Sequence, residues 1–262
     1  MYRRLVPTCN DAVRISNKYN SHNFIVLHFW VGSFCSVLDD DSSKPTFPRG
    51  VIAVSDIITL IEDMRNQIPD KSWMLYLLEI FNKQNIPAEL NLICSFNNDG
   101  KFDVIFNGVN QYQFKQITPV AGHSYLRQIV MNSQKQLISY LLEDQNTNQT
   151  ERFDLSLLKM GEFVFEGQNH FTGIEWWNKI GNFPYPIRYH VEISQLMYGI
   201  GDNPSDSESI IFRPYTTLMP NSEGSSKQYP ISFHNTRIED GCICYDIKSG
   251  SCKSGIKYLS KK

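Results

Sequence analysis

Residues 162–199 read EFVFEGQNHFTGIEWWNKIGNFPYPIRYHVEISQLMYG and hold the clearest strand pattern of the chain. Apolar and polar residues alternate within 187–193, and the run 171–177 is rich in aromatic residues, which favour strands. A period of two is typical of a β-strand with one buried face, because successive side chains point to opposite faces of a sheet. Gly181 and Asn182, between the two runs, favour a turn. The stretch therefore predicts neighbouring strands of one sheet protein.

Comparable runs lie on both sides of this stretch, at intervals of roughly 8–15 residues. Asp99 and Gly100, between two of them, are a strong hairpin signal. Because most runs follow one another without a helical pattern between them, an antiparallel sheet is favoured over βαβ units. We predict a mainly β protein, an antiparallel β-sandwich. The runs lie at 24–38, 89–96, 101–108, 124–132, 137–143, 152–158, 162–166, 171–177, 187–196, 209–215, 229–235 and 242–247.

The segment 55–85 departs from this pattern. Ile57 and Ile61 belong to a series of apolar residues at helical spacing, and Ser55 is a favourable N-cap ahead of it. A second run, 72–84, is apolar nearly all the way round, which favours a helix docked on another element. We predict a short helical hairpin near residues 55–85, inserted in the sandwich.

The length and composition suit one globular domain. A chain of 262 residues can form a single large β-sandwich, so we predict one domain, 1–262, with a basic C-terminal tail at 248–262. Hydrophobic residues make up 41% and charged residues 20%, proportions typical of a soluble protein. The formal net charge of −2 gives no electrostatic basis for binding nucleic acid or an anionic membrane.

Missing patterns exclude several classes of protein. The sequence has no run of about 18 apolar residues that would span a bilayer, and no apolar segment of a signal peptide follows the N-terminal arginines. We expect a cytoplasmic protein by default, with a mature secreted form as the alternative. The phosphate loop, the Gly-x-Gly-x-x-Gly fingerprint, the Gly-x-Ser-x-Gly elbow and His-Glu-x-x-His are also missing. No cofactor is therefore predicted.

The six cysteines give no clear metal site. Cys242, Cys244 and Cys252 follow His234, but their spacing is not that of a zinc knuckle or ribbon, so we predict no metal. A disulfide among these three cysteines and free thiols both remain open. Cys94, inside an apolar run like Cys35, is predicted to be a buried thiol.

Two strands carry candidate site residues. Arg188, His190 and Glu192 share one face of the run 187–193, where a Glu beside a His or Arg is either a tuned acid or base or part of an ordinary solvent-facing strand. These three residues are candidates for ligand binding or catalysis. Oligomeric state is left open by the sequence.

The adjacent tryptophans Trp176 and Trp177 must lie on opposite faces of their strand, so by default at most one of them belongs to the core. An exposed tryptophan is a platform on which a sugar ring can stack, because its flat apolar face matches the C–H face of the sugar. Glu175 shares the face of Trp177. All three residues are predicted to contact a ligand.

Four segments in order resemble concanavalin-type β-sandwich proteins and are similar to their glutamic peptidase (eqolisin) and lectin-like branches: SYLRQ at 124–128, YLL at 140–142, GEFVFEG at 161–167 and Glu192 in an apolar strand. The resemblance implies a ligand on the concave face of a curved sheet. In the peptidase branch a Gln and a Glu on that face activate water for amide hydrolysis. The counterparts in this chain are Gln128 and Glu192.

Three functions follow from these patterns. The first is a lectin-like module that presents aromatic and polar residues to a carbohydrate or a similar polar ligand. The second is a hydrolase that uses Gln128 with Glu192, or the carboxylates Glu175 and Glu192, on a carbohydrate or peptide. The third is an interaction domain without a small ligand. Hydrolysis requires two polar groups that converge within about 5–10 Å, whereas binding requires only an aromatic platform with a polar rim.

Overall fold

The computed structural model is built from β-strands, with no helix among the residues that it describes. It describes residues 29–38, 46–60, 72–95, 100–178, 191–201, 210–215, 217–224, 237–239, 242–244 and 257–258, with side chains for 46–60, 74–94, 100–173, 193–201 and 210–215. In chain order the strands are β1 Phe29–Leu38, β2 Val51–Leu60, β3 Ser72–Asn82, β4 Pro87–Ser95, β5 Lys101–Phe106, β6 Val109–Gln113, β7 Ser124–Asn132, β8 Leu137–Asp144, β9 Gln149–Ser156, β10 Gly167–Asn178, β11 Val191–Gly201, β12 Ile210–Pro214, β13 Thr217–Gly224, β14 Arg237–Glu239, β15 Cys242–Cys244 and β16 Lys257–Tyr258.

These strands form two sheets. Sheet I has the order β16-β13-β1-β10-β3-β4-β5-β6, and sheet II has the order β14-β15-β11-β2-β7-β8-β9 with β12 on the β11 edge. Neighbouring strands are antiparallel except β13 and β16. Buried side chains of both sheets, such as Tyr76 and Leu90 from sheet I and Ile129 and Tyr140 from sheet II, form one core between them. The predicted antiparallel β-sandwich is confirmed.

The predicted helical hairpin is wrong within the described residues. Residues 51–60 and 72–82 are the strands β2 and β3, which lie inside sheets II and I, each with a neighbour on both sides. Side chains on both faces of these strands are buried, so both faces are apolar and the sequence loses the alternation of apolar and polar residues that indicates a strand. Such a run cannot be told from a buried helix by its periodicity alone. Residues 61–71 lie outside the described part of the chain.

A buried ion pair of sheet II is hydrogen-bonded to the backbone of sheet I. Arg127 of β7 and Asp56 of β2 are both fully buried, and the guanidinium donates to the two carboxylate oxygens from Nε at 2.9 Å and from Nη2 at 2.7 Å. The same guanidinium donates to the backbone carbonyls of Tyr76 at 2.6 Å, Leu90 at 3.0 Å and Leu77 at 3.2 Å in sheet I. All five N–H groups of Arg127 are thereby used.

This guanidinium fills a gap in sheet I. The pairing of β3 with β4 stops after Tyr76–Leu92 and resumes at Glu79–Glu89 without a change of register. The carbonyls that Arg127 reaches belong to this interval. Arg127 therefore supplies hydrogen bonds where the ladder between the two strands is interrupted.

A buried histidine lies in the same interior. His170 of β10 is 1% exposed, and both its ring nitrogens are buried without a hydrogen-bond partner. Its ring centroid is 5.2 Å from that of Tyr215. Burial, together with the positive charge of Arg127, lowers the pKa of His170 to about 3, so the ring is neutral near pH 7.

A second contact between the two sheets is made by the carboxylate of Glu151. Glu151 of β9 accepts a hydrogen bond from the Tyr112 hydroxyl at 2.9 Å. It also accepts hydrogen bonds from the backbone N–H groups of Lys115, Gln116 and Ile117, and the one from Gln116 is the shortest of these three, at 2.8 Å. Burial opposes ionisation of this carboxyl, but these donors hold the pKa of Glu151 below its ordinary value. Glu151 thus fastens sheet II to the segment that follows β6 of sheet I.

We expect Gly199→Ala to destabilise the protein by about 1–3 kcal/mol, the usual cost of overpacking a filled core. A Cβ at Gly199 of β11 would lie 2.8 Å from the Cβ of Ala53 on β2 and 2.5 Å from Cγ2 of Ile210 on β12. The Ile210 side chain can shift, but the Ala53 Cβ cannot move without its strand. Urea unfolding measures the loss, with Ser194→Ala on the same strand as the control, and equal midpoints for the two variants would contradict the expectation.

Candidate functional site

Sheet I has a second buried layer on the side away from the sandwich core. Met74, Tyr76 and Leu78 of β3 belong to the core, whereas the alternating residues Leu75 and Leu77 are buried outside it. We call this side the distal face of sheet I. It is formed by Leu75, Leu77, Glu79 and Phe81 of β3, Glu89, Asn91 and Ile93 of β4, Lys101, Asp103 and Ile105 of β5, and Phe171 and Gly173 of β10, together with the positions in register with them.

A row of tryptophans crosses one end of the distal face. Trp177 of β10 is paired with Trp30 of β1 on one side and with Trp73 of β3 on the other. Directly opposite residues of antiparallel strands have Cβ atoms about 4.5–5.5 Å apart. Three of the four tryptophans in the chain therefore occupy adjacent positions, on three neighbouring strands, and we call them the tryptophan row.

Polar side chains lie toward the other end of this face. Glu79 of β3, 3% exposed, is paired in register with the half-buried Glu89 of β4. Asn91 of β4, fully buried, is paired with Asp103 of β5, which is 1% exposed. Glu79 is six positions after Trp73 on β3, which corresponds to about 20 Å along the strand. The face is thus elongated, with aromatic positions at one end and carboxylates at the other.

Hydrogen bonds fix part of this polar group. Asn91 Nδ2 donates to Glu89 Oε2 at 2.8 Å. Asp103 Oδ2 accepts from Asn110 Nδ2 at 2.8 Å and forms an ion pair of 2.8 Å with Lys101 Nζ. Burial raises the pKa of Asp103, and the hydrogen bonds and charge of its partners offset this only in part.

The predicted binding residues on β10 divide between the two faces of sheet I. Trp177 belongs to the tryptophan row, and Glu175 is paired with Leu75 of the distal face. Trp176 is paired with Met74, at a core-facing position of the strand. Arg188 and His190 lie outside the described residues.

The predicted catalytic pair is not brought together. Gln128 of β7 is half-buried and paired with Ser55, whereas Glu192 of β11 is paired with Thr59, four residues further along β2. Four residues along the strand and two strand spacings across the sheet place the two positions roughly 16 Å apart. The alternative pair is also divided, because Glu175 occupies a position on the distal face of sheet I, whereas Glu192 belongs to sheet II and alternates with the core residue Ile193.

The described residues give no sign of a metal centre. No group of three or more His, Cys, Asp and Glu side chains among them is arranged to hold a metal ion. The side chain of Cys94 is buried, as predicted. Cys242 and Cys244 lie on β15, whereas Cys252 and His234 lie outside the described part of the chain. No helix in that part is long and apolar enough to cross a membrane.

Similar solved structures include peptidases and lectins. A scytalido-glutamic peptidase in complex with a transition-state analogue inhibitor is 13% identical with a TM-score of 0.46, over 72% of this chain and 98% of the peptidase. SCP-B, a member of the eqolisin family of peptidases, is 14% identical with a TM-score of 0.34, over 76% and 80% of the two chains. Basic winged bean lectin is 9% identical with a TM-score of 0.31, over 54% and 76%.

The two groups named by the sequence resemblance, glutamic peptidases and lectins, are thus both among the similar structures. At such identities and TM-scores the likeness carries no inference about activity. No protein-family model and no curated protein sequence matches the chain. The functional argument therefore depends on the distal face itself.

Proposed function

We propose that the protein is a lectin-like binding module that holds a carbohydrate at the tryptophan row of sheet I. The tryptophan row is the observation that carries this proposal. Flat indole rings match the apolar C–H faces of sugars, and adjacent aromatic positions on three strands suit a ligand with several rings.

A glycan array with the purified protein tests the proposal. We expect Trp73→Ala to weaken binding of the best array ligand by roughly 30-fold, the effect of losing an aromatic anchor worth about 2 kcal/mol. Trp73→Phe should retain most of the affinity, because a stacking surface remains. Leu158→Ala, at a side chain that is 74% exposed on a different part of the surface, is the control.

Titration followed by tryptophan fluorescence gives the dissociation constants, and thermal unfolding shows whether each variant is folded. Affinity that is unchanged in a folded Trp73→Ala protein would remove the tryptophan row from the binding site. An array without any bound glycan would contradict the proposal as a whole.

A hydrolase is the second candidate, favoured by the pairing of Glu79 with Glu89. Directly opposite residues have Cβ atoms about 4.5–5.5 Å apart, so the two carboxyl groups are within reach of the separation of about 5–5.5 Å used by retaining glycosidases. Glu79 is also buried, and burial favours the protonated form that a general acid requires. Incubation with the array ligand and with casein, at acid and neutral pH, would reveal cleavage. Cleavage that disappears in Glu79→Gln would establish the hydrolase, whereas binding without cleavage supports the lectin-like module.

A further inference from the structure

One motif of the sequence has no part in the proposed binding site. Asn148, Gln149 and Thr150 form an Asn-x-Thr triplet, the acceptor sequence for N-linked glycosylation. The only other Asn-x-Ser/Thr triplet of the sequence, at 203–205, has a proline in the middle, which disqualifies it. A glycan on Asn148 requires that the folded protein leaves room for it.

The triplet lies at the tip of the hairpin that joins β8 to β9. The last pair of the two strands is Asp144–Gln149, and all residues from 145 to 150 are exposed. β9 ends the described order of sheet II, so no described strand lies beside the hairpin on that side. An oligosaccharide attached at this tip therefore extends into solvent.

The hairpin does not use the side chains of Asn148 and Thr150 to hold its shape. Asn146 Oδ1 accepts a hydrogen bond from the backbone N–H of Ser124 at 2.8 Å, and Thr147 Oγ1 accepts one from the backbone N–H two residues on, at 3.4 Å. The amide of Asn148 and the hydroxyl of Thr150 form no hydrogen bond with any described residue. Both groups that the modification requires are thus available.

The backbone at Asn148 explains which residues this position accepts. Its φ is +57°, in the left-handed region, which asparagine occupies more readily than most residues other than glycine. Glycine at this position therefore keeps the turn and removes only the acceptor amide.

We propose that Asn148 is the acceptor of an N-linked glycan. The co-reactant is a lipid-linked oligosaccharyl diphosphate, and an oligosaccharyltransferase catalyses the transfer. A bond forms between Nδ2 of Asn148 and the anomeric carbon of the oligosaccharide, and the bond from that carbon to the diphosphate breaks. The diphosphate leaves with the electron pair, and Nδ2 gives up one proton. Occupancy of this site requires the secreted form of the protein, and it is independent of the proposed binding function.

Translation of the full chain behind a cleavable leader, in the presence of microsomes, tests the acceptor. Chains inside the microsomes are selected by their resistance to added protease, and their gel mobility is compared before and after treatment with peptide N-glycosidase. We expect most of these chains to carry one glycan that the glycosidase releases. Mass spectrometry of the treated protein should then find an aspartate in place of Asn148, because the glycosidase hydrolyses the amide.

Two variants that break the triplet should each abolish the shift in mobility. They are Asn148→Gly, which suits the positive φ, and Thr150→Ala, which keeps the asparagine and removes the hydroxyl. Asn107→Gly is the matched control. Asn107 is also exposed at a positive φ, 48°, in a hairpin turn, but Val109 stands where the triplet needs a hydroxyl. This control should carry the glycan as the wild type does.

Two outcomes would overturn the proposal. Protease-resistant chains without a glycosidase-sensitive shift would show that Asn148 is not an acceptor, because the leader delivers every such chain to the transferase. A shift that persists in Asn148→Gly would place the glycan on another residue.

Discussion

Replacing Arg127 by Met is expected to reduce the free energy of unfolding by about 3–5 kcal/mol, the effect of removing one partner of a buried ion pair. Asp56 would keep a fully buried carboxyl without its cation, and burial already raises the pKa of that carboxyl. The carbonyls of Tyr76, Leu77 and Leu90 would also lose their donor at the interruption between β3 and β4. Urea unfolding at pH 7 measures the change.

Two further variants show how much of this loss in unfolding free energy comes from the buried ion pair. In the double variant with Asp56→Leu we expect part of the stability to return, because both buried charges are then absent. Arg152→Met should cost no more than about 1 kcal/mol, because the Arg152–Asp154 pair is exposed, at 57% and 42%. If Arg127→Met and Arg152→Met unfold at similar urea concentrations, the buried pair does not stabilise the sandwich as argued.

Acidification is expected to destabilise the wild-type protein through His170. Because burial and Arg127 lower the pKa of His170 to about 3, the folded state keeps this ring neutral while the unfolded chain binds a proton near pH 6.5. The stability contribution is therefore present above pH 6.5 and is lost as the pH falls toward 3. Between pH 7 and 4.5 the loss amounts to about 2.5 kcal/mol.

The comparison with His170→Phe isolates this contribution. Neither ring nitrogen of His170 forms a hydrogen bond, so a phenyl ring in its place beside Tyr215 loses no hydrogen bond. Asp103, with a pKa raised by burial, gains protons in the folded state and acts in the opposite direction, but it is common to both proteins. We expect the difference in unfolding free energy between wild type and variant to change by about 2.5 kcal/mol over this range. A constant difference would contradict a buried neutral histidine.

Strands with one solvated face were predicted well from the sequence. The run 124–132 is β7, with Tyr125 and Ile129 in the core and Gln128 on the opposite face, because the alternation survives wherever only one face is packed. β3 was taken for a helix because its distal face is buried too. The predicted strand at 162–166 is absent as well, and the chain there runs without strand pairing. Burial of a second face depends on partners distant in the chain, which no local pattern contains.

The candidate site was predicted only in part. Trp177 and Glu175 were assigned to one face of one strand, but the tryptophan row also needs Trp30 and Trp73, whose strands pair with β10 across long stretches of chain. Asn91 and Asp103 had a local signal that was missed. They flank the predicted turn at Asp99-Gly100 and alternate with core residues, so the hairpin register places them opposite each other.

The strand order delays assembly of the molecule. β1 pairs with β10 and β13, and β2 pairs with β11, so these two interior strands pair with segments that follow residue 166 in the chain. During synthesis the apolar β1 therefore leaves the ribosome long before its neighbours exist. Pairing at such sequence separations slows folding and exposes bare strand edges to other chains. Two sets of three strands, β4-β5-β6 and β7-β8-β9, are joined by short hairpins and can form while the flanking strands are still incomplete.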